Sequence, residues 1–235
     1  ERVTPTYTKP VIIEENSLRE INRLDIKNFS ATPPGLVREM IGNLKSIARD
    51  VDGIIALDQL SENDCGVLTG GVRREFNRMG KSKDGLVVYA DSRHNIGLFE
   101  NVIIKCNHLE AVKNVFGGFK KEPGEAIIEE AGKLLSQKTK KPVFITHGKN
   151  GQWVFDGSSC KKIPGIKVEG PIDIVGAGDA NTSGIVSALC SGTSFEDAAL
   201  LANIISSITI QQLNTTGIVT PGDIIKRHEE VFRRK

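Results

Sequence analysis

The chain has 235 residues, enough for one domain with a full core. Its 31 basic and 29 acidic side chains leave a net charge of +2, which makes no electrostatic case for a nucleic-acid partner. No apolar run reaches membrane-spanning length and no signal-peptide pattern opens the sequence, so no membrane partner is expected. Cys65, Cys106, Cys160 and Cys190 are scattered without a Cys-x-x-Cys pair. That spacing points to thiols in a reducing cytoplasm and away from a cysteine zinc site.

In chain order, residues 2–14 are rich in Thr, Tyr, Val and Ile but broken by Pro5 and Pro10, so they read as an edge strand or flap. Residues 36–48 carry apolar side chains at helical spacing after a Pro33-Pro34-Gly35 start signal. Residues 51–57 read as a buried strand, and 63–79 as a helix with an interruption at Gly70-Gly71. Residues 85–90 and 102–105 are two more short apolar runs. Helices are expected at 109–115 and 126–135, and strands at 142–146 and 153–155 around a Gly-rich turn. Long helices are expected at 177–190 and 195–211. Gly192 ends the first, and Thr193 to Glu196 matches a capping box for the second. Residues 222–234 close the chain as a solvated helix. Buried strands alternating with helices predict an α/β fold: a doubly wound, mostly parallel sheet with helices on both faces and a small edge-strand lid. One domain is expected over 1–235, with the lid at 1–14.

In such sheets ligands sit beyond the carboxyl ends of the strands. The segments 58–62, 91–94, 107–110, 146–151 and 176–179 follow apolar runs and hold the candidate chemistry. The stretch Ile172-Asp173-Ile174-Val175-Gly176-Ala177-Gly178-Asp179 joins a β-branched run to a small-residue helix. Its turn should leave backbone N–H groups free at a helix start, an anion cradle. A carboxylate beside such a cradle suits a hydroxyl that loses a proton while attacking a phosphate. The pattern therefore reads as phosphoryl transfer to an alcohol with Asp179 as base. Asp179 as a plain helix cap is the alternative. A dinucleotide-binding turn needs a third glycine earlier than Gly184, which disfavours a nicotinamide-dependent oxidoreductase.

Asn107 and Glu110 at spacing i, i+3 share one helix face and can place a hydrated Mg²⁺, or can simply cap the helix. Thr146 to Gly151 contains an Asn-Gly hairpin signal, and its two glycines could let a nucleotide lie against the backbone. Asp58 can cap or touch a ligand. Arg93 can meet a phosphate or a surface acid. His147 has no partner pattern.

Taken together and in order, Asp173 to Asp179, Asn107-His108-Leu109-Glu110, Thr146 to Gly151 and Ala202-Asn203 resemble the motifs of the ribokinase-like (PfkB) carbohydrate kinases. Val67-Leu68-Thr69, Leu201-Ala202-Asn203 and Gly217 to Pro221 are most similar to the heptose-7-phosphate kinase branch. The resemblance implies an ATP-dependent kinase acting on a sugar or sugar phosphate. It makes Asp179 the base, with Gly176, Ala177 and Gly178 offering N–H groups to the transferred phosphate. Asn107 and Glu110 would place Mg²⁺ against ATP. Thr146, Gly148, Gly151 and Asn203 would border the nucleotide. Asp173 and the Ile174 carbonyl would hold a monovalent cation such as K⁺. The family's first strands and sugar-binding acid have no counterpart, so an N-terminally incomplete kinase domain is expected, beginning at Glu1 within the lid. A homodimer through that lid is a further expectation. A non-catalytic nucleotide or sugar sensor on the same fold is the alternative function.

Overall fold

The computed structural model describes residues 2–14, 17–82, 85–118, 121–157 and 159–233. The chain opens with a two-stranded ribbon in two short ladders. Strand β1 (Thr6–Thr8) pairs antiparallel with β4 (Leu24–Ile26), and β2 (Val11–Glu14) with β3 (Ser17–Glu20). Pro10, which has no N–H to donate, stands at the break between the ladders, and its carbonyl accepts from Ile21 N at 3.1 Å. The ribbon therefore runs on to Ile26, beyond the edge strand expected over residues 2–14. Its returning half is charge-rich (Arg19, Glu20, Arg23, Asp25), and its apolar alternation is confined to Leu24-Asp25-Ile26, too short to announce a strand.

Helix α1 (Pro34–Ile47) leads to β5 (Gly53–Asp58), followed by α2 (Gly70–Met79), β6 (Val87–Ser92), β7 (Ile103–Asn107), α3 (His108–Phe116), α4 (Glu125–Thr139) and β8 (Val143–Thr146). Strands β9 (Gln152–Phe155) and β10 (Cys160–Ile163) follow, then α5 (Ala177–Cys190), α6 (Phe195–Thr209) and α7 (Pro221–Phe232). The six-stranded sheet has the order β10-β9-β8-β7-β6-β5. β5 to β8 are parallel, and β9 and β10 are antiparallel.

Alternation along the strands splits the core in two. Val88, Ala90, Val143 and Ile145 face α1 to α4, meeting Phe76, Val112, Ile128 and Leu135. Tyr89, Phe144 and Val154 face α5 and α6, meeting Ile185, Val186, Ala198 and Ala202. This is the doubly wound arrangement with helices on both faces. Among the described residues β5 forms an edge of the sheet, with Ile55 and Leu57 exposed.

Three local expectations are corrected. Helix α2 starts at Gly70 instead of residue 63, because the Thr69 side chain caps it and Asp64 takes the Gly70 N–H at 2.6 Å. The glycines thus begin the helix and do not interrupt it. Ser194 caps α6 by accepting from Asp197 N at 3.1 Å, one residue beyond the Thr193–Glu196 pair. Residues 172–175 form no strand. Asp173 N donates to Ile210 O at 2.8 Å, so this segment is held by the end of α6, not by a sheet neighbour.

Candidate active site

The geometry begins with strand register. Asn107, the last residue of β7, is the Cα partner of Thr146, the last of β8. The Asn-x-x-Glu and Thr-x-Gly segments are therefore set side by side at the carboxyl edge of the sheet. Asp58 and Ser92 end β5 and β6 as register partners on the same edge.

Asn107 and Glu110 form a reciprocal capping box. Asn107 Oδ1 accepts from Glu110 N at 2.9 Å, and Glu110 Oε2 accepts from Asn107 N at 2.8 Å. The capping alternative is thus realised, and it leaves Oε1 without a hydrogen bond among the described residues. Burial pushes the Glu110 carboxyl above its usual range against the opposing Asn107 N–H, and Asp91, Lys105 and Arg93 add smaller electrostatic effects.

Lys105 was not singled out in the sequence. Its ammonium lies 2.6 Å from Asp91 Oδ2, which also accepts from Thr182 Oγ1 of α5 at 2.9 Å. A Cβ placed on Gly178 would sit 3.7 Å from the Lys105 ammonium. The signal was a lysine inside the apolar run Ile103-Ile104-Lys105-Cys106, where a charge is rarely buried without a partner.

At the start of α5, Gly176 has φ +78°, a left-handed conformation that other residues adopt at a cost. The turn engages the Ala177 N–H, which donates to Ile174 O at 3.1 Å. Ala177 is therefore less available as a donor than its neighbours. No acceptor among the described residues takes the N–H of Gly178 or Asp179. The Asp179 residue is exposed. Asp173 organises the turn from below, accepting from Val175 N at 2.9 Å and Asn214 N at 3.2 Å. The Asp173 carboxylate oxygens and the Ile174 carbonyl each keep a lone pair.

The hairpin expected at Asn150-Gly151 is present. β8 and β9 pair antiparallel, and His147 N donates to Gly151 O at 2.8 Å. An added Cβ on Gly148 would meet nothing within 4 Å, so the backbone is open there. Gly151 instead packs against chain: its Cβ would lie 2.1 Å from Ile163 O. Asn203 is buried and committed to protein partners, accepting from Gln152 Nε2 and donating to Pro164 O, both at 2.9 Å. It supports the Gly151 turn from behind. Asp58 is likewise engaged, by Ser92 Oγ at 2.9 Å and Asn95 Nδ2 at 3.0 Å. It borders a cavity of about 590 Å³ at the base of the ribbon, lined also by Tyr7, Asn28 and Leu57. Arg93 is exposed.

A family described as pfkB family carbohydrate kinase matches residues 101–221. The uncharacterized sugar kinase YegV of Escherichia coli (strain K12) is 28% identical over 106 residues, 45% of this chain and 33% of that protein. The bifunctional protein HldE of Citrifermentans bemidjiense is 28% identical over 210 residues, 88% of this chain and 41% of that protein. The chain therefore spans well under half the length of these curated relatives. Among solved structures, ribokinase from Thermotoga maritima superposes with a TM-score of 0.66 at 18% identity, covering 97% of this chain and 72% of that one. Phosphofructokinase-2 from Escherichia coli in complex with potassium gives 0.67 at 16% identity, covering 89% and 67%. These structural likenesses establish a ribokinase-like fold.

Proposed function

The chain belongs to the pfkB family of carbohydrate kinases, and on that premise we propose that it carries the machinery for ATP-dependent phosphoryl transfer to a hydroxyl of a sugar or sugar phosphate. The observation that carries this reading is the turn at Gly176. It leaves the N–H groups of Gly178 and Asp179 without a protein acceptor, beside the Lys105 ammonium and next to an exposed carboxylate. Such transfer is mostly positioning and electrostatics.

In this reading Asp179 takes the proton of the attacking hydroxyl. Gly176, Gly178 and, less directly, Ala177 offer backbone positive charge to the transferred group, with Lys105 behind them. ATP fits the open backbone at Gly148, with Thr146 and Gly151 beside it and Asn203 supporting. Mg²⁺ suits the uncommitted oxygen of Glu110, reached through water, with Asn107 alongside. K⁺ suits Asp173 and the Ile174 carbonyl. The cavity at the lid base falls in the size range of small-molecule sites and could take the acceptor. The likeness to the heptose-7-phosphate kinase branch and the similarity to HldE support heptose 7-phosphate as that acceptor. A cytoplasmic setting fits four unpaired cysteines. A homodimer through the lid fits the ribbon's exposed Val11, Ile13, Leu24 and Ile26.

The test is phosphate transfer from Mg-ATP, with and without K⁺, by the complete protein against heptose 7-phosphate, fructose phosphates and ribose. Turnover on one of them supports the kinase and names its acceptor. ATP binding with no transfer to any of them would favour a sensor on the same fold.

A further inference from the structure

The register that aligns Asn107 with Thr146 has a second effect. The next residue in each segment is a histidine, so His108 and His147 are placed side by side. Their rings lie 4.4 Å apart at 46°. Glu122, just before α4, reaches back to them, with Oε1 2.5 Å from His108 Nε2. One ring nitrogen of each histidine and one Glu122 oxygen all lie within 4.8 Å of one another.

A simple ion pair does not account for this cluster. It uses one nitrogen of His108 and leaves Nδ1 of both His108 and His147 buried without a hydrogen-bond partner. An orphaned buried polar atom is costly, and two in one cluster call for a ligand. The remaining nitrogen of His147 has only the Asn150 amide, at a long 3.4 Å. The nearby Lys162 is tied to Glu125, so its charge is partly neutralised.

We propose that His108, His147 and Glu122 form a binding site for a divalent transition metal of the zinc class, separate from the Mg²⁺ position at Glu110. Two imidazoles and a carboxylate match the preference of Zn²⁺, whereas Mg²⁺ prefers oxygen alone. Ligand atoms at ~2.0 Å from a tetrahedral Zn²⁺ stand roughly 3.3 Å apart, so these side chains close in from their spacing of up to 4.8 Å to hold one ion. The bound ion fastens the segment before α4 across the ends of β7 and β8. This proposal does not rest on the kinase reading.

The test uses the whole chain, stripped with a chelator and titrated with Co²⁺ and Zn²⁺. One equivalent of Co²⁺ is expected to give visible d–d absorption that Zn²⁺ abolishes and millimolar Mg²⁺ does not. His108→Ala and His147→Ala should each weaken Zn²⁺ by at least ~100-fold, and Glu122→Gln by about 10-fold. On the unaltered chain, imidazole NMR should show Zn²⁺ shifting two of the four histidines, His108 and His147, and leaving His94 and His228 in place. This second measurement needs no variant to fold. Undiminished Zn²⁺ binding by a folded His108→Ala/His147→Ala double variant overturns the proposal, as does a shift confined to His94 or His228. So does the absence of Zn²⁺ binding tighter than ~100 µM, an affinity weaker than structural zinc sites reach.

Discussion

The Lys105 ammonium lies 2.6 Å from Asp91 Oδ2, with side-chain exposures of only 5% and 13%. Strand register sets the pair, since Asp91 and Lys105 are Cα partners on β6 and β7. Thr182 joins it from α5, tying the helix that carries Asp179 to the sheet. Removing one member leaves a buried charge uncompensated, so Asp91→Leu should cost about 3–5 kcal/mol. Adding Lys105→Met should recover part of that loss, because no lone charge then remains. Urea unfolding of the two single variants and the double variant reads this directly. An Asp91→Leu midpoint equal to that of the unaltered chain would show the pair to be dispensable.

Asp179 is exposed at the first turn of α5, and no hydrogen bond to its carboxylate is among those of the described residues. It is therefore free to serve the reaction at little structural cost. Asp179→Asn in the complete protein should lower kcat by at least ~10²-fold while leaving ATP binding and thermal stability close to unaltered. Turnover near the original rate would falsify the base assignment.

The parts of this fold that could be read in the sequence are those with a periodic pattern. Helix α5 runs over the expected 177–190 because its small and apolar residues meet α6 on one side, and β6 to β8 are apolar runs because both faces are covered. The returning half of the N-terminal ribbon was not legible, since its strands are held by pairing with β1 and β2 and not by burial. Residues 172–175 looked like a strand from β-branched composition alone, yet the end of α6 holds them. Within the site, Asp179, Asn107 and Glu110 were visible as motifs. The Asp91–Lys105 and His108–His147 pairings were not, because each is made by strand register between residues far apart in sequence.

Glu75 makes an acid-stability prediction. Its carboxylate, 9% exposed, accepts from Arg78 Nε at 3.0 Å and faces Lys45 at 3.7 Å. The Arg78 hydrogen bond holds it below the usual carboxylate range, against burial. A carboxyl lower in the folded than in the unfolded state stabilises above its unfolded value, near pH ~4.3, and loses that contribution as pH falls through the folded value. Glu75→Gln should therefore cost about 1–2 kcal/mol at pH 7. The difference should shrink towards zero below pH ~4. Urea midpoints at several pH values test it; a difference as large at pH 3 as at pH 7 would exclude the charge as its source.

Gly151 and Gly148 form a matched pair for the turn between β8 and β9. Both have positive φ, +90° and +53°. They differ in ψ, which at Gly151 is −132°, outside the left-handed helical region, and in what surrounds them. A Cβ on Gly151 would lie 2.1 Å from Ile163 O and 2.4 Å from Gly165 N, both backbone atoms that cannot rotate away, whereas a Cβ on Gly148 meets open space. Gly148→Ala should therefore cost only the left-handed penalty of about 1–2 kcal/mol. Gly151→Ala should cost more, about 3 kcal/mol or above, because the 163–165 backbone must move as well. That movement pulls on Pro164, whose carbonyl Asn203 holds at 2.9 Å, so Asn203→Ala should add little in the Gly151→Ala background. Equal losses for the two glycine variants would mean that backbone conformation alone, and not the approach of 163–165, requires glycine in this turn.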